Sequence, residues 1–232
     1  MTKPVVAVVI PAFNEEKAVG KVIAELPKEW VTEIIVCDNG STDHTADVAQ
    51  KAGATVVYQP EPGYGNACLK GLEYLKQKPQ HPDIVVFIDG DYSDYPDELP
   101  LLLKPILEEG VDLVIGSRET GERQKGSMTP VQIFGNWLAT TLIRWLYSYH
   151  FTDLGPFRAI KWAPLMQMKM ADKNYGWTVE MQIKAAKMKL TTAEVDVSYR
   201  PRIGVSKVSG TLKGAFMAGY KILWLIFRSL FK

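Results

Sequence analysis

The chain is short of the residues that staple, cage or anchor a protein. Its 232 residues include two cysteines and three histidines, too few for a disulfide framework or a cysteine–histidine metal cage. Cys37 and Cys68 show no metal-ligand spacing and lie in mostly apolar segments, which predicts buried free thiols in a reducing compartment. No stretch reaches the roughly 20 apolar residues needed to span a bilayer. The apolar run in "MTKPVVAVVIPAFNEE" is short for a signal peptide and lacks a small-residue cleavage site, so the expected location is cytoplasmic. Net charge is +1, so no global field draws the chain to nucleic acid. Internal repeats and low-complexity tracts are missing. So is a Gly-rich triphosphate loop near the N-terminus, which argues against a nucleotidyltransferase.

What is present is a 47% hydrophobic composition, enough for a substantial core, laid out in a regular order. In the first half "VVAVVI", "TEIIVCD", "ATVVYQ", "DIVVFID" and "VDLVIGSR" read as strands. Helical patterns separate them, including "STDHTADVAQKAG", where Ser41 or Thr42 is the expected cap. Repeated β–α units of this length imply a parallel sheet with right-handed crossovers. Ligands of such sheets bind at the carboxyl ends of the strands. The polar clusters "PAFNEE", "DNGSTD", "DGD" and "GSR" all fall there.

The second half changes character. Residues 119–129, "ETGERQKGSMT", suggest a mobile loop, and the Trp/Tyr-rich 131–151 segment a helix that is buried or lies in a membrane interface. "GWTVEMQIKAAKMK" reads as a helix, "TTAEVDVSYRPR" as a strand and "GTLKGAFMAGYKILWLIFRSLFK" as a last helix. From Tyr199 to Lys232 there are seven basic residues and no acid, a surface suited to phosphate or an anionic membrane. The expected organisation is a catalytic domain over 1–210 and an amphipathic, membrane-interfacial helix over 211–232.

Among candidate site residues, Asp89 and Asp91 stand first. Two acids flanking Gly90 at the end of a buried strand repel each other, and a divalent cation, Mg²⁺ or Mn²⁺, with diphosphate oxygens is one way to compensate them; an ordinary acidic turn is the other. In "PAFNEE" Pro11 ends a strand, and capping alone accounts for Asn14 and Glu15. Asp38 exceeds its turn role, since a carboxylate at a strand end can accept from a base N–H or a ribose hydroxyl.

"VVIPAFNEEKAVGKVI", "IIVCDNGSTDHTADVA", "GYGNACLKGL", "VVFIDGDYSDYPDELP", "VIGSR" and "TDLGPFRAI" occur in the order and spacing of family-2 glycosyltransferases. The resemblance covers roughly residues 4–210. It is closest to the polyprenyl-phosphate (dolichyl-phosphate) mannosyl- and glucosyltransferases, whose basic R-x-G-x-S-K segment is similar to "SYRPRIGVSKVSG". It implies a GT-A-type, Rossmann-like, mostly parallel sheet with helices on both faces, and an inverting transfer from a UDP- or GDP-hexose. By position, Pro11, Ala12, Asn14, Glu15 and Asp38 would line the nucleotide pocket, with Gly63 and Gly65 beside it and Asp89 and Asp91 as metal acids. Ser93 replaces the glutamine that relatives often use in the metal shell. A polyprenyl phosphate acceptor is already an anion, so it needs cations rather than a base, and Arg118, Arg200, Arg202 and Lys207 are suited to it, Arg123 less so. In the alternative, with a glycan or lipid hydroxyl as acceptor, Asp153 would be the base. Arg158 is expected to pair with Asp153, and Glu180 either to face solvent or to bond a buried partner.

Overall fold

The computed structural model describes residues 3–204 and 212–231. Strands β1 (Val6–Ala12), β2 (Glu33–Asp38), β3 (Thr55–Tyr58), β4 (Ile84–Phe87), β5 (Leu113–Ser117), β6 (Arg158–Lys161) and β7 (Thr192–Asp196) form one sheet in the order β3-β2-β1-β4-β6-β5-β7. All pairings are parallel except those of β6, which runs antiparallel to both neighbours. The expected α/β sheet is therefore present, with one reversed strand that the sequence pattern concealed.

Both faces of the sheet are covered, and β1 shows why its run is continuously apolar. Val6, Val8 and Ile10 point into one core, shared with α1 (Val19–Glu25) and α4 (Leu99–Glu108). Ala7 and Val9 point into the other, shared with α3 (Tyr64–Lys76), α5 (Pro130–Tyr147), α6 (Trp162–Met168) and α7 (Trp177–Lys187). A strand buried on both faces has no polar side to show. Cys37 and Cys68 are free and buried in this second core, and burial pushes the Cys37 thiol up to about 12.

Helix α2 (Thr45–Lys51) starts later than expected. Neither Ser41 nor Thr42 caps it; Asp43 accepts from the Thr45 amide at 3.0 Å instead. Helix α5 begins with a capping box between Thr129 and Gln132 and stops at Ser148, which is left-handed, so residues 149–151 are not helical. The expected mobile loop contains short turns, and its Arg123 bridges to Tyr199.

The reversal of β6 positions the site. Because it runs against β4 and β5, its entry end lies at their carboxyl ends, and the Thr152–Phe157 segment is delivered there. The Gly116 amide donates to the Phe157 carbonyl at 2.9 Å. Gly155 sits so close that a Cβ would lie 2.6 Å from the Gly116 oxygen. Behind this corner Phe87 and Trp177 meet edge-on at 5.7 Å, both fully buried.

The C-terminal helix α8 (Leu212–Arg228) packs against α5 and α7. Tyr147 of α5 donates its hydroxyl to the Ile226 carbonyl at 2.5 Å. Outward, α5 shows Phe134, Trp137 and Trp145, while α8 shows Phe216, Tyr220 and Phe227. No described helix is long and apolar enough to cross a membrane.

Truncating Phe87 to alanine should cost about 3–5 kcal/mol, because the closed corner cannot collapse onto the void. Urea denaturation should show that loss as a lower midpoint at unchanged slope; a loss below about 1 kcal/mol would mean the corner is loosely packed.

Candidate functional site

At the end of β4 the backbone turns through Asp89, Gly90 and Asp91, with Gly90 packed closely against the Pro11 carbonyl. Asp91 Oδ1 accepts from the Ser93 amide at 2.9 Å and its hydroxyl at 2.5 Å. Asp91 Oδ2 faces Arg202 Nη2 at 3.0 Å. Asp89 Oδ1 is buried with no hydrogen-bond donor among the described residues. Burial, and then the neighbouring Asp91 charge, push the Asp89 carboxyl up to about 7. Both oxygens of Asp94 are likewise buried without a donor, and burial followed by Asp89 raises that carboxyl well above its usual range. The corner thus carries more buried negative charge than its own donors satisfy.

These acids fit a divalent cation: one carboxylate oxygen is orphaned, and two carboxylates lie side by side on a hard-oxygen corner. Among the described residues no group of three or more His, Cys, Asp or Glu could hold a metal ion, so a cation there needs further oxygens from a ligand.

A cavity of about 340 Å³ opens over the pair. Of the residues expected around a nucleotide, Pro11, Ala12, Glu15 and Asp89 line it, with Asp91 and Arg202. Asn14, Asp38 and Gly65 stand behind the wall. Asn14, at φ 54°, accepts from the Thr42 amide at 2.8 Å and donates its own amide to the Ser41 hydroxyl at 2.9 Å, joining the loops after β1 and β2. Asp38 Oδ1 accepts from the Ser41 amide at 3.1 Å.

Asn39 and Tyr175 are among the wall residues that escaped the sequence reading. Asn39, within the "DNGSTD" cluster, donates to the Gln59 and Glu61 carbonyls and accepts from the Gly63 amide at 2.7 Å, fixing the loop before α3. Tyr175 comes from the loop before α7, far in sequence from the acid pair, and no local signal marks it. That loop presses backbone to backbone on the glycines. At Gly63, φ 139°, a Cβ would lie 2.2 Å from the Lys173 oxygen, and at Gly65 2.0 Å from the Asp172 oxygen. Asp172, buried, accepts from the amides of Asn174 and Gly176 and pairs with Lys221 of α8 at 3.0 Å. Lys221 therefore turns inward, whereas the interfacial helix expected over 211–232 would turn its cations to lipid head groups.

The second cluster lies where β5 meets the returning segment. Arg118 forks onto Asp153, with Nε to Oδ2 and Nη2 to Oδ1 both at 2.7 Å, and its amide adds a third bond at 2.8 Å. The Tyr199 ring lies 4.9 Å from the guanidinium. Burial alone would raise Asp153, but the charge and hydrogen bonds of Arg118 outweigh it and hold the carboxyl below its usual range. Arg158 does not hydrogen-bond Asp153. It is fully buried and donates to the carbonyls of Leu154, Gly155 and Thr178, and burial pulls it down to about 10.

The basic segment divides. Arg202 reaches the cavity between Glu15, at 3.1 Å, and Asp91. Arg200 does not join it: it is wedged between the Tyr92 and Tyr95 rings, 3.4 and 4.2 Å from their centroids, and paired with Glu25 at 2.9 Å. Arg123 pairs with Glu119 at 2.8 Å. Glu180 bonds the Ala171 and Asp172 amides and Lys184, so its role is to hold the loop before α7. Lys207 lies outside the described residues.

A family model described as Glycosyl transferase family 2 matches residues 7–169. An uncharacterized glycosyltransferase of Mycobacterium bovis is 36% identical over 220 residues, covering 94% of this chain and 96% of its own. A dolichyl-phosphate hexose transferase of Haloferax volcanii is 34% identical over 217 residues, covering 90% and 89%. Among solved structures, glucosyl-3-phosphoglycerate synthase of Mycobacterium tuberculosis, in complex with Mn²⁺, UDP and glucosyl-3-phosphoglycerate, superposes with a TM-score of 0.77 at 26% identity, covering 97% of this chain and 79% of that one. Those structures carry the expected GT-A arrangement.

The raised Asp89 carboxyl has a measurable consequence. Its folded form holds a proton that the unfolded chain releases near pH 4, so its contribution to stability is present below about pH 4 and is lost as pH rises through about 7. Wild type should lose stability relative to Asp89→Asn over that window in metal-free buffer. Mn²⁺ added together with UDP at pH 7.5 should raise the melting temperature of wild type further than UDP alone and leave Asp89→Asn no higher than UDP alone does. Parallel pH curves for the two proteins would contradict the strained acid pair.

Proposed function

This chain belongs to glycosyltransferase family 2, and from that premise we propose that it moves a hexose from a UDP- or GDP-sugar to a polyprenyl phosphate at the cytoplasmic face of a membrane. The observation that carries the acceptor is the state of Asp153. A hydroxyl acceptor needs a base to take its proton. Asp153 has both oxygens committed to Arg118, no exposure to solvent and a lowered proton affinity. It serves to orient Arg118 rather than to accept a proton. A phosphate monoester brings its own anionic oxygen and needs only to be held. The dolichyl-phosphate hexose transferase among the relatives supports the same acceptor class.

In this reading the acceptor oxygen attacks the anomeric carbon from the side opposite the leaving group. The bond from that carbon to the acceptor phosphate forms as the bond to the nucleoside diphosphate breaks, with inversion. Arg118 keeps Nη1 free of hydrogen bonds among the described residues and offers it to the incoming phosphate, while Asp153 and the Tyr199 ring fix its direction. Arg202, between Glu15 and Asp91, meets the diphosphate. Asp89 and Asp91 would hold Mg²⁺ or Mn²⁺, which neutralises charge developing on the leaving diphosphate. Pro11, Ala12 and Glu15 form the nucleotide wall directly; Asn14, Asp38 and Gly65 shape it from behind. The aromatic faces of α5 and α8 supply contact with an anionic membrane surface, and Trp224 is flanked there by Arg228 at 4.4 Å, while Lys221 is held inward by Asp172.

A second reading draws on the solved neighbour, whose complexes contain phosphoglyceric acid: a soluble phosphorylated acceptor, whose hydroxyl would attack the anomeric carbon in place of a phosphate oxygen. Radiolabelled sugar nucleotide incubated with Mn²⁺ and both acceptors separates the two. Label extracted into organic solvent with the polyprenyl phosphate is the expected result; label only on the water-soluble acid would overturn the lipid assignment. Arg118→Lys, which keeps the charge and loses the fork, should raise the KM for the lipid phosphate roughly tenfold, as expected for about 1.5 kcal/mol from a charge-assisted bond, without changing affinity for the nucleotide.

A further inference from the structure

A second cavity, of about 290 Å³, opens beside the Arg118–Asp153 pair, for Glu119 and Thr152, their neighbours in the chain, form part of its lining. Its long wall is a face of α5 that carries Trp137, Thr140 and Arg144, and His150 closes one side. Nothing in the nucleotide chemistry uses it.

The polar groups at its base are already satisfied. Asn136 donates to the Thr152 carbonyl at 3.1 Å and accepts from the Leu154 amide at 2.9 Å, and the Thr140 hydroxyl donates back to the Asn136 carbonyl at 3.0 Å. Glu119 is neutralised by Arg123. Glu194 accepts from the Thr152 amide and hydroxyl beneath the floor; Arg144, by contrast, has no ion pair among the described residues and, with the ring of His150, leaves donors turned to the open side of the cavity. Its mouth is apolar. Trp137 lines the cavity and is also 56% exposed, in a row of aromatic side chains with Phe134 at 60% and Trp145 at 76%. A cationic recess opening onto an aromatic helix face matches a ligand with an anionic head and a long apolar tail.

We propose that this cavity captures the phosphate head of an isoprenoid phosphate monoester against Arg144 and His150, with the chain laid over Trp137 along α5, before the phosphate passes to Arg118. The inference rests on the polyprenyl-phosphate reading and adds to it a separate site of first contact. Arg144 and Trp137 are exposed, so their replacement leaves the fold intact.

The experiment is calorimetric titration of the whole chain with farnesyl phosphate, in wild type, Arg144→Gln, Trp137→Ala and Arg118→Lys, with farnesol, inorganic phosphate and phosphatidylglycerol as competitors. Arg144→Gln and Trp137→Ala should each weaken farnesyl phosphate about tenfold or more while Mn²⁺–UDP binds as in wild type, and none of the competitors should displace it at equal concentration. Unchanged affinity in both α5 variants, with loss in Arg118→Lys, would sink the capture site and leave the acceptor reading standing. Displacement by inorganic phosphate would make it a general anion site, and displacement by phosphatidylglycerol a membrane-headgroup site; either result overturns the proposal. Wild type that transfers no hexose to any isoprenoid phosphate would take down the acceptor reading itself.

Discussion

Four carboxylates, Asp89, Asp91, Asp94 and Asp153, are withdrawn from water at one edge of the sheet, and the cations that pair with them directly are Arg118 and Arg202. Buried charge of one sign is costly unless something answers it. Arg118 answers Asp153 completely, which is why that acid is held low, and Arg202 answers Asp91 in part. Asp89 and Asp94 are left over and hold their protons more tightly than free carboxyls. Much of the site can be understood as the search for the missing positive charge: a glycine that lets the chain pass close, a serine that pins one oxygen, and an open cavity over the remaining one.

The sheet supports this arrangement through a single change of direction. The six co-directional strands would by themselves bring the loops after β1, β2, β4 and β5 to a common edge. The acid that locks Arg118 comes from elsewhere in the chain, and β6 brings it by entering the sheet backwards. Arg158, the first residue of that strand, spends its guanidinium on three carbonyls of the incoming segment and α7. The strap that presents Asp153 is therefore held from beneath by Arg158, from one side by Gln182 and from the other by Glu194.

What the sequence disclosed and what it hid follow from the range of the interactions. Strands β1, β2, β4 and β5 were legible because burial on both faces writes itself into an unbroken apolar run. Strand β6 was not, because its four residues begin and end with a cation, and its buried arginine resembles a surface one until its carbonyl partners are known. The acid pair, and the glycines that need close approach, were visible as local patterns. Asn39 and Tyr175 were hidden because their importance comes from what the fold places beside them. Arg200 and Arg202 show the limit most sharply. They are two residues apart in the same basic segment, but β7 has ended by then, so no sheet register keeps them on one side. One is trapped between tyrosines; the other reaches the acids.

The ion pair between Lys221 and Asp172 gives α8 a part in the architecture of the cavity wall. Asp172 is 2% exposed in its side chain and keeps the turn that abuts Gly63 and Gly65 in shape. Severing the polypeptide ahead of α8 would strand that carboxylate inside the protein without its counter-ion. The C-terminal helix is thus a brace for the turn that abuts the two glycines before and within α3.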